Sequence, residues 1–560
     1  MSRGTLLTPV NADLGSSAEL EDFPCALSPV EETQGGWDMP ALPLEYAACD
    51  AELEQTAALV EVDASYSVPT PSTGESTLAQ SVVILLVMSI AQRVVGLARG
   101  LLVCLWLTPA LLGTWDLANR FFFLAAPLIV LGVPGTFGRY LEHYRQRGVL
   151  RTVLFRTAVA CGGLSLLAWG ALLAAPGFFA EQVFGSPAQE GLLVLSATCL
   201  LAVIAFNYLS EALVALRLVR VNAILQFLTS IGFAALSIGL LWGWRTDAAA
   251  LIVAYAGSCL LLVIGGGWYL RHYWRELPAD HGQLGHGEMW AKLLPFAGWI
   301  WLTNLLTNSY ESAGRYMIVH HSGLAEYDAL VGNYHAAQLV PGLIITLASM
   351  FGGILLPYLS RDWEAGRRGA VSDTLNLSLK LLTFLNVAAA AGVLFVGHGV
   401  FEYALRGKYP EGERILHLAL ANCAWSAAAV IAQMYLWCAE KARWGCLALA
   451  LGLVVNVLLN WLWLPQGGLA GGMLATAVAS LAMLGVLYGL CVWLGMRLDG
   501  QTVAISVLPG ILLLGLWPTL ALLAGIAGMA ISRPQWLFST DELQTLARYN
   551  WLSRRQKNSA

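Results

Sequence analysis

From Gln80 onward the chain alternates long apolar runs with short polar or basic segments. The runs begin near Gln80, Phe121, Thr152, Leu192, Ala223, Ala249, Leu294, Leu330, Leu379, Ile415, Gly445 and Leu469. Each extends over roughly 20 residues or more, the length a helix needs to cross about 30 Å of hydrocarbon. The pattern therefore predicts twelve membrane helices. A further run, 503–531, contains Pro509, Pro518 and several glycines. It is long enough for one tilted span and short for two, so the expected total is thirteen or fourteen. A transmembrane β-barrel would show apolar and polar residues alternating over about ten positions, unlike near-continuous runs such as 447–464. The expected fold class is an all-α polytopic membrane protein.

Composition agrees. The 560 residues are 57% hydrophobic and 12% charged, against about 25% charged in soluble domains. The net charge of -5 hides two opposite parts: residues 1–78 carry fourteen acidic residues and one basic residue, Arg3, whereas the remainder carries 30 basic and 22 acidic residues. The first segment lacks a sustained apolar period and is rich in Pro, Ser, Thr, Glu and Gly. It reads as a disordered acidic tail, because it has too little apolar surface to offset its ordering entropy. It also lacks the basic start and short apolar core of a signal peptide, so the first membrane helix is expected to be its own uncleaved targeting signal. Most of the cysteines lie in or beside apolar runs without CxxC spacing and read as small core residues. With no Cys/His cluster, P-loop or GxGxxG turn, no metal, cofactor or nucleic-acid partner is expected, and ATP-driven transport within this chain is disfavoured.

Basic residues are retained on the cytoplasmic side during insertion. Arg145, Arg147, Arg217, Arg220, Arg367, Arg368, Lys441 and Arg443 fall in one set of alternate loops, whereas the other set holds only Arg245, Arg406, Lys408 and Arg414. The first set, and with it the acidic N-terminus, is expected in the cytoplasm. Laying the chain on itself at a shift of 222 to 223 residues brings Arg93 onto Arg315, Pro134 onto Pro357, Arg139 onto Arg361, Gly185 onto Gly407 and Arg220 onto Arg443. Helix starts and basic turns superpose as well. The expected organisation is a tail (1–78), a six-helix lobe (79–275), a second six-helix lobe (276–500), an extra membrane segment (501–532) and a C-terminal tail (533–560). An even number of helices per unit keeps the two lobes parallel, with the substrate site expected in the cavity between them.

Several polar residues fall inside the spans. Arg93 lies near the middle of the first, where an arginine costs several kcal/mol unless it is paired, hydrated or facing a cavity. Gln92 and Arg99 share a helix face beside it, and Arg99 can also snorkel towards the interface. The seventh span carries Asn304, Asn308, Glu311 and Arg315 at steps of four, three and four, which is one helical stripe. Glu311 and Arg315 can form an ion pair on their own helix. Alternatively, the arginines attract an anion and Glu311 binds H⁺ or Na⁺ to couple a gradient to transport. Arg120, beside Asn119, reads either as an interfacial anchor at the outer start of the second span or as a cavity residue. Glu211 is expected to pair with Arg217 or Arg220, and Asn456 and Asn460 read as interhelical glue.

The first half contains Arg93-Val-Val-Gly-Leu-Ala-Arg99, Leu107-Thr-Pro-x-x-x-Gly113 and Gly132-Val-Pro-Gly. The second has Gly332-Asn-Tyr334-His-Ala-Ala-Gln, Leu356-Pro-Tyr-Leu-Ser360, Arg406-Gly-Lys-Tyr409 and Leu464-Pro-Gln-Gly-Gly-Leu-Ala-Gly-Gly-Met-Leu-Ala-Thr476. In this order the motifs resemble the polysaccharide transporters of the multidrug/oligosaccharidyl-lipid/polysaccharide (MOP) exporter superfamily, over about residues 79 to 495. The resemblance implies two six-helix lobes forming a V around a cationic cavity, followed by one or two extra helices. It also implies a flippase, not an enzyme, that moves polyprenyl-diphosphate-linked glycans across the bacterial inner membrane for O-antigen or exopolysaccharide synthesis by alternating access. Membrane lipids and polysaccharide-assembly proteins are the implied partners. Arg93, Arg99, Arg120, Arg315, Asn304 and Asn308 are the candidate cavity residues, since arginine forks give charge-assisted bonds to diphosphate oxygens. The alternatives are a lipid II flippase and, because cationic cargo favours carboxylates over arginines, less favourably a cation-coupled multidrug exporter.

Overall fold

The computed structural model describes residues 78–532 apart from 277–279, 281, 283 and 324–325. The acidic segment before Leu78 and the tail after Ser532 lie outside the described residues. Sixteen helices and no strand occur among the described residues.

The first lobe holds α1 (Leu78–Trp106), α2 (Pro109–Ile129), α3 (Phe137–Gln146), α4 (Leu150–Ala174), α5 (Pro176–Phe184), α6 (Glu190–Ala215), α7 (Val219–Gly243) and α8 (Ala248–Glu276). The second holds α9 (His286–His321), α10 (Tyr327–Gln338), α11 (Pro341–Glu364), α12 (Arg368–Gly399), α13 (Pro410–Cys438) and α14 (Ala442–Trp493). α15 (Gly500–Ser506) and α16 (Leu516–Ser532) follow. Among the described residues nine helices are long and apolar enough to cross a membrane, and α2 with α3, bent by 66° between them, makes a tenth. α14 counts once there but is broken at Gly468, whose φ of 56° and ψ of -145° leave the helical region. Its two parts are the expected eleventh and twelfth spans. The chain is a multi-pass, all-α membrane protein of two lobes. Large exposed apolar residues such as Phe155, Leu167, Ile264 and Phe395 supply its lipid-facing surface.

The second span starts earlier than expected. Thr108 caps α2, its hydroxyl accepting from the Leu111 N–H, and Pro109 occupies the first helical position. This is the residue order that a helix N-terminus favours. The segment from Pro109 to Trp115, expected as loop, is thus the first two turns of the helix, and Arg120 sits mid-helix rather than at an interface.

The repeat is visible in the backbone. Gly185 and Gly407, which align at the 222-residue shift, both adopt positive φ (76° and 64°), and Arg217 and Glu440 do so in the corresponding basic turns (64° and 54°). Pro134 and Pro357 part company: the first lies in the bend between α2 and α3, the second inside α11. The second lobe breaks instead between α10 and α11.

The lobes meet mainly where α2 and the bend after it pack on α9 and α10. At the α2–α10 crossing, a Cβ on Gly113 would lie 1.9 Å from the Asp328 carbonyl oxygen, and one on Gly332 1.9 Å from that of Pro109. Only glycine permits this approach, as small residues do at close crossings of membrane helices. Beside it, Lys408 Nζ donates to the Leu105 carbonyl at 2.6 Å and the Tyr409 hydroxyl donates to that of Cys104 at 2.9 Å. At this end of the molecule, opposite the basic loops, the two lobes are therefore in direct contact.

At the basic end the segment between the lobes is tied to the first lobe. Asp280 Oδ2 accepts from the Thr152 N–H at 2.7 Å and its hydroxyl at 2.6 Å, capping α4 from a distance, a favourable place for a carboxylate. Arg147 pairs with Glu288 at 2.7 Å. The C-terminal segment is anchored to the second lobe: the buried Lys380 pairs with Asp499 at 3.0 Å, and Trp425 Nε1 donates to the Ser506 carbonyl at 3.0 Å. The run 501–532 folds as two short apolar stretches around a 3₁₀ segment.

Candidate functional site

A cavity of about 780 Å³ lies between the lobes, and Arg93, Arg99, Arg120, Glu311 and Arg315 all line it. Their environments differ. Arg315 is 3% exposed and forms an ion pair through Nε with the fully buried Asp116 of α2. Its other nitrogens donate to the Glu311 backbone carbonyl and to Gln338 Oε1, both at 3.0 Å, and its guanidinium lies 4.9 Å from the Tyr334 ring centroid. His335 Nδ1 meets the second Asp116 oxygen at 2.8 Å. Each of the three nitrogens of this arginine thus has an acceptor, and a buried pair is stable only when its remaining groups are bonded in this way.

Glu311 does not pair with Arg315. Its carboxylate instead accepts from Arg120 NH1 at 2.8 Å, across the lobe boundary. The expected pair on one helix is replaced by two pairs between helices, because Asp116 on α2 claims Arg315 first. Arg120 is half-buried in the cavity and its Nε has no partner.

Arg99 lies against Phe233, 4.0 Å from the ring centroid, a cation–π contact that leaves its charge uncompensated. Arg93 is exposed to the cavity and has no ion-pair partner among the described residues. Four arginines face two carboxylates, so the cavity carries an excess of two positive charges when His335 is neutral. Among the described residues no group of three His, Cys, Asp or Glu side chains is placed to hold a metal ion.

A family model described as "Polysaccharide biosynthesis protein" matches residues 78–363, just over half of the chain. The chain belongs to this family. The polysaccharide biosynthesis family match covers the whole first lobe and the helices α9 to α11, which carry most of the rest of the cavity; Asn422, Cys423, Ser426 and Thr476 line it from beyond the match. The chain is also similar to the uncharacterized membrane protein YabM of Bacillus subtilis (strain 168), 27% identical over 251 residues, or 43% of this chain and 46% of that protein. It thus spans about half the length of the curated relative it matches. Among solved structures it resembles the lipid II flippase MurJ in an inward closed conformation, with a TM-score of 0.62 and 12% identity over 81% of this chain and 99% of that one. It equally resembles an inward-facing multidrug resistance MATE family transporter of the MOP superfamily (0.62, 12%, 74% and 95%). At such identities the likeness is one of fold, and this family member has the two-lobed MOP fold.

The structure separates the polar stripe of α9. Asn304 and Asn308 line a second hollow of about 350 Å³, apart from the arginines. Glu211 lines that hollow too, while Arg217 pairs with Glu142 at 3.4 Å. Asn460 donates to the carbonyl and side chain of Asn456 on its own helix, at 2.9 and 2.5 Å, rather than bonding between helices. Asp116, His335 and Gln338 were not among the expected site residues. Asp116 was hidden because the polar set Asp116, Asn119 and Arg120 delays the apolar run by three turns, although Thr108-Pro109 marks the true helix start.

Proposed function

We propose that this chain is a flippase that carries polyprenyl-diphosphate-linked oligosaccharide units across the bacterial inner membrane for polysaccharide biosynthesis, by alternating access. The observation that carries this reading is the pair Arg93 and Arg99, two arginines without carboxylate partners among the described residues, in a cavity enclosed by membrane helices. A diphosphate supplies the missing counter-charge, and guanidinium forks bind it with charge-assisted bonds while the prenyl tail stays in lipid. Arg315 is already held by Asp116, the Glu311 carbonyl and Gln338, so its role in this reading is to fix α2 against α9 and α10. With the basic loops in the cytoplasm, the end where α2 crosses α10 is the outer one in this reading, and cargo loads from inside.

Glu311 is the coupling group in this reading. A proton or Na⁺ on its carboxylate releases Arg120, which then reaches for the diphosphate. In this reading the N-terminus is cytoplasmic, and polysaccharide-assembly proteins are the partners its acidic segment would meet there.

The test is mass spectrometry of polyprenyl-diphosphate lipids in cells depleted of the protein. One sugar-linked lipid should accumulate and clear on restoration, and Arg93→Ala should fail to clear it despite normal insertion. No accumulation would sink the reading, and accumulation of lipid II would replace it with peptidoglycan precursor transport.

A further inference from the structure

The second hollow has a chemistry that the diphosphate reading leaves unused. It is bounded by α2, α6, α7, α8 and α9, and Phe123 lines both it and the arginine cavity, so the two adjoin. Its lining includes no basic residue, and Glu211 is its charge. Some of its polar groups are committed: Gln226 donates to Ser210 at 3.0 Å, the Tyr208 hydroxyl to the Leu154 carbonyl at 2.8 Å, and Asn308 Nδ2 to the Asn304 carbonyl at 2.8 Å. Glu211 and the side chains of Asn207 and Asn304 have no partner among the described residues.

What faces the hollow is one carboxylate and two whole amides beside the rings of Tyr255 and the exposed Phe123. A carboxylate repels a diphosphate but accepts strong bonds from hydroxyls. Amides donate and accept, and aromatic faces cover apolar C–H surface. Hydroxyls on the edge and C–H groups on the face describe a sugar ring. Along α9, Asn304 precedes Glu311 by seven residues, about 10 Å of helix, a separation suited to a diphosphate followed by its first sugar.

We propose that Glu211, Asn207 and Asn304 form a sugar subsite that recognises the first monosaccharide of the lipid-linked cargo. This rests on the diphosphate reading of the adjoining cavity, and the experiment separates the two. The purified full chain is titrated, by native mass spectrometry, with bare polyprenyl diphosphate and with polyprenyl diphosphate carrying a single glucose, galactose or N-acetylglucosamine.

The wild type should prefer at least one glycosylated lipid by about tenfold, the worth of one hydrogen bond to a charged group. Glu211→Gln combined with Asn304→Ala should bring that ratio to about one, while Glu211→Asp, as a control for folding, keeps a preference. Arg93→Ala should weaken binding of every lipid, bare or glycosylated; if it does not, the diphosphate reading fails. A wild type without preference, or a preference that survives in the double variant, overturns the sugar subsite alone. So does a hollow in which Na⁺ raises the melting temperature of the wild type but not of Glu211→Gln while the lipid ratio stays unchanged.

Discussion

Asp116 is the buried carboxylate that ties two cations of the cavity wall together. Its carboxylate holds Arg315 on one side and His335 on the other, with 1% of its own side chain exposed. Removing one member of a buried pair leaves the other charge uncompensated, at a cost of about 3 to 5 kcal/mol. Asp116→Ala should therefore lower stability by that order in denaturant titrations of the protein in mixed micelles. Adding Arg315→Met should recover most of the loss, since an apolar pair of similar volume is often neutral. Full stability in the single variant would refute the account of Arg315. Glu311 makes the opposite case, being 54% exposed and bonded to one arginine. Glu311→Gln adds one positive charge to the cavity. The expected result is tighter binding of polyprenyl diphosphate, slower turnover and loss of the response to a proton or Na⁺ gradient. An intact gradient response would exclude Glu311 as the coupling group. The arginines of this site were legible in the sequence because a charge inside an apolar run stands out. Their partners were not, since which carboxylate meets which arginine depends on how helices about 200 positions apart come together, and no spacing along the chain encodes that.

At the scale of elements, the run of apolar residues located nearly every helix, α9 included through the run from Leu294, and it was least accurate at α2. That helix was read as starting a dozen residues late because its first half carries Asp116, Asn119 and Arg120, while α9 was found although its stripe from Asn304 to Arg315 leaves it less apolar than the other spans. Both helices border the cavity. The glycines at the α2–α10 crossing were present in the recognised motifs, yet only the approach of two backbones explains them. Gly332→Val would place side-chain atoms inside the Pro109 carbonyl and should force the crossing apart. The expected outcome is a protein that inserts and retains Arg93-dependent lipid binding but no longer closes this end. A cysteine introduced at Ser349, on the cavity wall, would then react with a membrane-impermeant thiol reagent from both sides of the membrane.

For the whole molecule, the same Ser349→Cys substitution with native Gly332, in a background without reactive native cysteines, should be labelled only from the side of the basic loops. Labelling from the opposite side alone would reverse the proposed direction of loading. The twofold plan of the molecule was legible from the 222-residue shift, and the positive φ angles at Gly185 and Gly407 carry it into the backbone. The differences between the lobes were not. Pro134 sits in a bend and Pro357 inside an unbroken helix although they align, because the bend is set by the packing of 130–135 on α9 rather than by proline alone.

The close approach of Gly113 and Gly332 has a mechanical consequence. Where side chains interlock, parting two helices means turning rotamers and opening voids, and each such step adds to the barrier. Here bare main chain lies on bare main chain, and Lys408 and Tyr409 grip carbonyl oxygens that water can take over once they are released. A contact of this kind behaves as a smooth clasp. If the lobes part here, as the proposed alternating access requires, the two backbones themselves separate without the rotamer changes that interlocked side chains would demand.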